Sequence, residues 1–430
     1  MGEMMGSFKK PAFFRMRKKS FPLLLICLFF FVQSPAQAIW SEDGVDWFNR
    51  FKQAPVLFTD GFVNVAWSFG RMLLKFNSGP NSITKVKTPL LASGYAPVAM
   101  YAQEVKAGGD YYDYETAKRP LIVLLSGAFS ESDSDINRYI AKLFYKQGYH
   151  VAAVPNTWAQ DVLLNKPKFT LVDPVEEARF ILSLLPGIKK RFGEENITKV
   201  HVVGQSYGAF LALVVDYLDK TENESQIDGE FTLLSPPIRF DYAFNQLDYY
   251  LNKSENEYFS YCESLLHKPK LLLSLISSDS EEQLKPELKE CSESWVVWQG
   301  FHLPLAEADE IISHQLHRRI RFKARDQLKR RDFRMNPILR KHFPEVDLTE
   351  EKYDLLYWVN KMNDLDIKNY RFLLAENDFL LDLASQVYPL KTKLDENQVM
   401  VLDWGGHLGY KPTELFKALI KSEFKKQTSH

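Results

Sequence analysis

One stretch narrows the folds open to this chain more than any other. Residues 200–208 read Val-His-Val-Val-Gly-Gln-Ser-Tyr-Gly, and the apolar run Ala209–Leu218 follows directly. A short buried strand thus passes through Gly204-Gln205-Ser206-Tyr207-Gly208 and out into a helix. So tight a strand-to-helix turn puts Ser206 in a strained backbone conformation. The positions two residues to either side must then lack a clashing side chain, hence Gly204 and Gly208.

The surrounding chain supplies matching units. Pro97–Val105 has partial alternation and reads as an early edge strand, and Leu121–Leu125 is continuously apolar, as in a central strand covered on both faces. Ile136, Ile140, Leu143 and Phe144 mark a helix face ended by Gly148, and Val151–Val154 is the next strand. Asp173-Pro174-Val175-Glu176 is a helix start, with Asp173 as cap and Pro174 in the first turn. After the Ser206 turn and its helix comes strand Phe231–Leu234, stopped by Ser235-Pro236-Pro237. Alternation resumes with strand Tyr370–Leu374, a helix within Leu380–Leu394, strand Val399–Leu402 and a closing helix carrying Leu415, Phe416, Leu419, Ile420 and Phe424. Repeated strand–helix units imply an α/β fold, a mostly parallel sheet with right-handed crossovers and helices on its flanks. Residues 237–365 interrupt the pattern, look helical and polar, and read as a cap inserted between core segments 88–236 and 366–430.

The N-terminus is of another kind. Lys9, Lys10, Arg15, Arg17, Lys18 and Lys19 precede the apolar run Phe21–Val32, and Ala36-Gln37-Ala38 closes the segment. This is the order of a secretory signal peptide, and an apolar stretch of twelve residues is short of the roughly twenty that span a bilayer. Cleavage near Ala38 would deliver a secreted or periplasmic protein; an uncleaved N-terminal membrane anchor is the alternative. Residues 1–38 hold six Lys/Arg and one acidic side chain, so the remainder carries 48 basic against 54 acidic groups. That negative balance argues against a general nucleic-acid binder. Residues 39–87 form an aromatic-rich arm with Trp40, Trp47, Phe48, Trp67 and Phe76, to be packed on the core or laid on a membrane surface or cleft wall. Cys262 and Cys291, both in the cap, read as one disulfide in an exported chain.

A serine hydroxyl is a weak nucleophile unless a base beside it takes its proton and a third group orients that base. Imidazole suits the base role near neutral pH, and a buried carboxylate fixes its tautomer. Among nine histidines, His407 stands out, following strand Val399–Leu402 in Asp403-Trp404-Gly405-Gly406-His407-Leu408-Gly409. His201 lies inside the serine strand and reads as a packed residue, while His314, His317 and His342 read as solvated cap residues. Asp378, just after strand Tyr370–Leu374, is the first choice for the acid, with Glu376 and Asp403 as alternatives. Two backbone N–H groups are needed where negative charge develops. The Tyr207 amide is one, and the turn Ser126-Gly127-Ala128-Phe129 offers Ala128 first and Phe129 second. No His/Cys/Asp cluster has metal-ligand spacing and no phosphate-cradling glycine motif occurs, so no cofactor and no metal are inferred.

The order Ser206, Asp378, His407, each at a strand end, resembles the α/β-hydrolase family over about residues 88–236 and 366–430. The Gly405-Gly406-His407-Leu408-Gly409 ending looks like the YheT-like esterase branch. Family members often carry His-Gly before the oxyanion turn, where this chain has Ser126-Gly127. The resemblance implies an α/β-hydrolase fold with a lid after the sixth strand, and a Ser206–His407–Asp378 triad cleaving small-molecule or lipid esters. Amidase, peptidase or thioesterase chemistry, or a non-catalytic binding role for the cap, are the rivals. Within the cap, Ile312, Leu316, Ile320, Ala324 and Leu328 recur every four residues beside Arg318, Arg319, Arg321, Arg325, Arg330 and Arg331. That basic helix is either a solvated face or a patch for anionic substrates or lipid head groups, a peripheral membrane contact.

Overall fold

In a computed structural model the described residues are 86–89, 97–106, 114–165, 169–222, 224–254, 291, 296, 300–301, 303–314, 334–410 and 416–417. The signal-like segment, residues 39–85 of the aromatic arm, Cys262, the run of arginines at 318–331 and most of the closing helix lie outside them, while residues 86 and 87, assigned to the arm, belong to a strand of the core sheet. Cys291 is buried and disulfide-bonded. No helix among the described residues is long and apolar enough to cross a membrane.

Eight strands form one sheet in the order β1-β2-β6-β5-β7-β8-β9-β10. They are β1 (Val86–Pro89), β2 (Pro97–Tyr101), β5 (Arg119–Leu125), β6 (His150–Val154), β7 (Ile197–Gln205), β8 (Phe231–Leu234), β9 (Tyr370–Ala375) and β10 (Val399–Leu402). β1 and β2 run antiparallel to their neighbours, and every pairing from β6 to β10 is parallel. Leu121–Leu125 and Val151–Val154 are buried at every position, as continuous apolar runs require when helices cover both faces. β2 is not the edge strand its partial alternation implies. The short, charged segment Val86–Pro89 pairs outside it, and Glu104–Lys106 (β3) leaves the sheet to pair with Tyr114–Thr116 (β4).

Helix α1 (Asp135–Tyr145) connects β5 to β6, α2 (Gln160–Leu164) follows β6, and α3 (Pro174–Phe192) leads to β7. The Asp173 carboxylate accepts the Val175 and Glu176 amides at 3.0 and 3.1 Å, capping α3. α4 (Tyr207–Thr221) follows the serine turn, and its residues Tyr207–Val215 are all buried between sheet and flanking helices.

Between β8 and β9 lie α5 (Phe240–Ser254), α6 (Leu303–His314), α7 (Met335–His342) and α8 (Leu355–Asp364). Asp248 on α5 accepts the Met335 and Asn336 amides at 2.5 and 3.1 Å, which fastens the start of α7. Asp309 on α6 accepts from Lys341 at 2.7 Å and His342 at 2.6 Å. His342 is therefore tied to a neighbouring helix, not solvated. Its own helix leaves the ring facing a carboxylate that sequence spacing does not reveal. α8 packs on α4, with the Trp358 ring edge-on to Tyr217 at 5.5 Å, so the last helix of the 237–365 segment covers the sheet.

β5 sits where the strand order reverses, with β6 on one side and β7 on the other. In open parallel sheets such a switch point opens a crevice at the carboxyl ends of the strands. The loops after β5, β7, β9 and β10 all leave from that edge. Packing there is close enough to forbid side chains. A Cβ at Gly208 would meet the Ser126 carbonyl oxygen and lie 2.6 Å from that of Leu125. Gly208→Ala should therefore lower stability by about 3 kcal/mol or prevent folding, read as the urea midpoint; a wild-type midpoint would contradict the close approach.

Candidate active site

Ser206 follows β7 directly with φ 52° and ψ −123°, a conformation that non-glycine residues rarely adopt. Its hydroxyl donates to His407 Nε2 at 2.8 Å, and His407 Nδ1 donates to Asp378 Oδ2 at 2.9 Å. The partners assign the tautomer, because a carboxylate can only accept. Asp378 Oδ1 takes the Leu380 amide at 3.0 Å, so both carboxylate oxygens have donors. All three side chains are buried.

The histidine loop is held from two sides. Gly405 and Gly406 have φ of 122° and 55°, which supplies the bend. The Gly406 amide donates to Asn377 Oδ1 at 2.7 Å, joining this loop to the one carrying Asp378. Of the alternative acids, Asp403 is exposed and Glu376 is half-buried, and neither bonds His407. His201 is buried in β7, where Nδ1 accepts the Glu230 amide at 3.0 Å and burial pushes its pKa down to about 4.

The Tyr207 and Ala128 amides have no acceptor among the described residues. Phe129 differs, since its amide donates to Asn156 Oδ1 at 3.1 Å. That bond takes up the Phe129 amide and not the Ala128 one, and Phe129 is the turn's left-handed residue at φ 62°. Ser126 stands where the resemblance leads one to expect histidine. Its hydroxyl donates to the Val154 carbonyl at 2.5 Å and accepts from Asn137 Nδ2 at 2.6 Å. Gln205 Nε2 donates to Asn137 Oδ1 at 2.9 Å, so the serine turn and the oxyanion turn share one buried amide. Asn137 escaped sequence reasoning, although a polar residue one position from Ile136 on a buried helix face is a usable signal.

The pocket over Ser206 is apolar. Trp158, Phe244, Leu247, Phe301, Met335 and Leu380 line it beside Ala128, with no charged side chain among the described residues. No group of three or more His, Cys, Asp or Glu able to hold a metal ion occurs among the described residues.

One further acid lies against this site. Glu177 on α3 is 0% exposed. Oε2 accepts from the Tyr207 hydroxyl at 2.7 Å and from Thr157 at 2.8 Å, and Oε1 accepts the Val172 amide at 2.7 Å. Burial raises its pKa to about 7, against the pull of those three donors, with nearby Asp173 adding to the rise. Burial and the adjacent Glu177 carboxyl push the Tyr207 hydroxyl well above its usual value, so it stays protonated and donates.

No protein family and no curated protein matches the sequence. Solved structures do resemble it. The esterase Pf2001 of Pyrococcus furiosus is 14% identical, covers 80% of this chain and 91% of its own, and has a TM-score of 0.45. Naproxen esterase from Bacillus subtilis is 15% identical over 84% of this chain and 97% of its own, with a TM-score of 0.40. Serine hydrolase CCSP0084 from Cycloclasticus zankles is 15% identical over 81% of this chain and 100% of its own, with a TM-score of 0.42. At such identities the class rests on the strand order, the switch point and the serine turn. By these the chain has the α/β-hydrolase fold.

Glu177 gives a test that needs no substrate. Its folded-state pKa lies above the ordinary carboxyl value, so the native protein binds this proton more tightly than the unfolded chain. The contribution is favourable at low pH and fades as pH rises through that interval. Between about pH 5 and about pH 7.5, wild-type Tm should fall relative to that of Glu177→Gln. Parallel Tm curves for the two proteins would contradict the assignment.

Proposed function

We propose that this protein is an exported serine hydrolase that cleaves carboxylic esters with an apolar acyl group through an acyl-enzyme intermediate. The observation that carries the reading is the unbroken hydrogen-bonded chain from Ser206 through His407 to Asp378, opening on a pocket whose described lining carries no charge. Ser206 Oγ attacks the ester carbonyl carbon while His407 Nε2 takes its proton. Asp378 stabilises the imidazolium that results. The tetrahedral oxyanion is bound by the Tyr207 and Ala128 amides, whose groups are prearranged and so need no reorganisation as charge develops. The C–O bond then breaks and the leaving alkoxide takes the proton from His407. Water enters, gives a proton to His407, attacks the acyl carbon, and Ser206 departs reprotonated.

Apolar walls supply binding for a hydrocarbon acyl chain and offer a charged one no partner for its lost hydration. The basic head, apolar run and Ala36-Gln37-Ala38 at the N-terminus support export. A fluorophosphonate probe should label the wild type and leave Ser206→Ala unlabelled. Labelling of both, or of neither, would refute the role given to Ser206. Asp378→Asn should lower kcat on p-nitrophenyl esters by about 10³–10⁴-fold, since the amide favours the wrong tautomer. A loss below about tenfold would remove Asp378 from the relay. Among p-nitrophenyl esters, kcat/KM should rise from acetate to octanoate and collapse for a succinyl ester of similar length. Equal rates on succinyl and butyryl esters would contradict an uncharged acyl site.

A further inference from the structure

Glu177 belongs to neither the relay nor the oxyanion donors, yet it is the acid most fully enclosed beside the pocket. We propose that Glu177 is a positioning residue for acyl selection, fixing the Tyr207 side chain and the Val172 backbone and so the wall against which the acyl chain lies. This rests on the ester-hydrolase reading above.

The first argument is chemical. No Lys or Arg among the described residues bonds this carboxyl, and nearby Lys352 is paired with Asp173 at 3.0 Å. A buried acid facing neutral donors is costly compared with an apolar residue of the same size. What an apolar residue cannot do is gather three donors from three separate segments. Glu177 takes the Tyr207 hydroxyl from α4, the Thr157 hydroxyl from the loop after β6, and the Val172 amide from the loop before α3.

The second argument is conformational. Val172 sits at φ 72°, where a β-branched residue is a genuine outlier. The 2.7 Å bond from its amide to Glu177 holds it there. Val172 and Tyr207 both line the pocket, as does Trp158 next to Thr157. The Tyr207 ring also meets Phe240 at 5.2 Å, and Phe240 stacks at 5.7 Å on Phe244, another lining residue. None of these contacts involves the Ser206 hydroxyl, His407 or the Asp378 carboxylate. Disturbing Glu177 should therefore move acyl recognition more than bond cleavage.

The test compares kcat and KM on p-nitrophenyl acetate and octanoate for wild type, Glu177→Leu, Glu177→Gln and Tyr207→Phe. Glu177→Leu and Tyr207→Phe should each lower the octanoate-to-acetate ratio of kcat/KM by about tenfold, chiefly through KM for octanoate. For Glu177→Leu the fall in kcat on acetate should stay below about threefold. Glu177→Gln keeps the shape, its oxygen can accept the Val172 amide and its NH2 can donate to the Tyr207 and Thr157 hydroxyl oxygens, so it should restore most of the wild-type ratio. An unchanged ratio in Tyr207→Phe overturns the proposal even should Glu177→Leu fail to fold. An equal fall on both esters overturns it too, because that is a general structural loss. A wild type that neither hydrolyses esters nor takes a fluorophosphonate label sinks the hydrolase reading itself, a result distinct from an active enzyme with unaltered selectivity.

Discussion

A non-glycine residue held at φ 52° costs of order 1–3 kcal/mol, and Ser206 persists there because its surroundings leave no alternative. Its amide donates to the Leu234 carbonyl at 2.8 Å, Gly208 presses on the backbone of β5, and a Cβ at Gly127 would lie 3.3 Å from Ser206 Cβ. Two turns, one after β5 and one after β7, are thereby forced into contact at the switch point. Everything proposed for the site depends on that contact. It holds the serine hydroxyl beside the pocket that Tyr207 and Ala128 also line. The Ser126–Asn137–Gln205 bonds give the same arrangement a polar fastening.

Buried acids are handled in two ways around this centre. Asp378 meets a histidine whose positive charge is created during the proposed reaction, and its second oxygen is occupied by a backbone amide. Glu177 meets neutral hydroxyls and an amide, and burial raises its pKa. The first arrangement favours stabilising a transient cation. The second favours fixed geometry, since three donors converge on one carboxyl whatever the stage of turnover. Energetically the two acids thus divide reactivity from shape.

The parts of the molecule legible in the sequence are those with local signals. Apolar runs at 121–125, 151–154 and 200–203 could be read as buried strands because both sheet faces are covered. The Asp173-Pro174 start was readable because a cap acts within one turn. Ser206, Asp378 and His407 could be singled out because each sits just past a strand, and glycines flank two of them. Long-range partnerships left no such trace. Asn137 meets Gln205 across 68 positions, and Lys352 meets Asp173 across 179. Glu177 has only the local signal of a first-turn acid of α3, and nothing in its neighbours announces Tyr207, 30 residues on. The outer strand β1 carries no sequence signal, because the four residues Val-Lys-Thr-Pro are too few to establish a period. α8 was assigned to the insertion because its periodicity is that of any amphipathic helix, and only packing shows that it faces α4.

The most direct measurement is peptide mass spectrometry of protein quenched in acid during turnover of an apolar p-nitrophenyl ester. A mass increase equal to the acyl group, confined to the peptide containing Ser206 and absent in Ser206→Ala, is the predicted result. An active protein that carries the acyl group on another residue, or that never carries it, would contradict a nucleophile poised by His407 at the switch point.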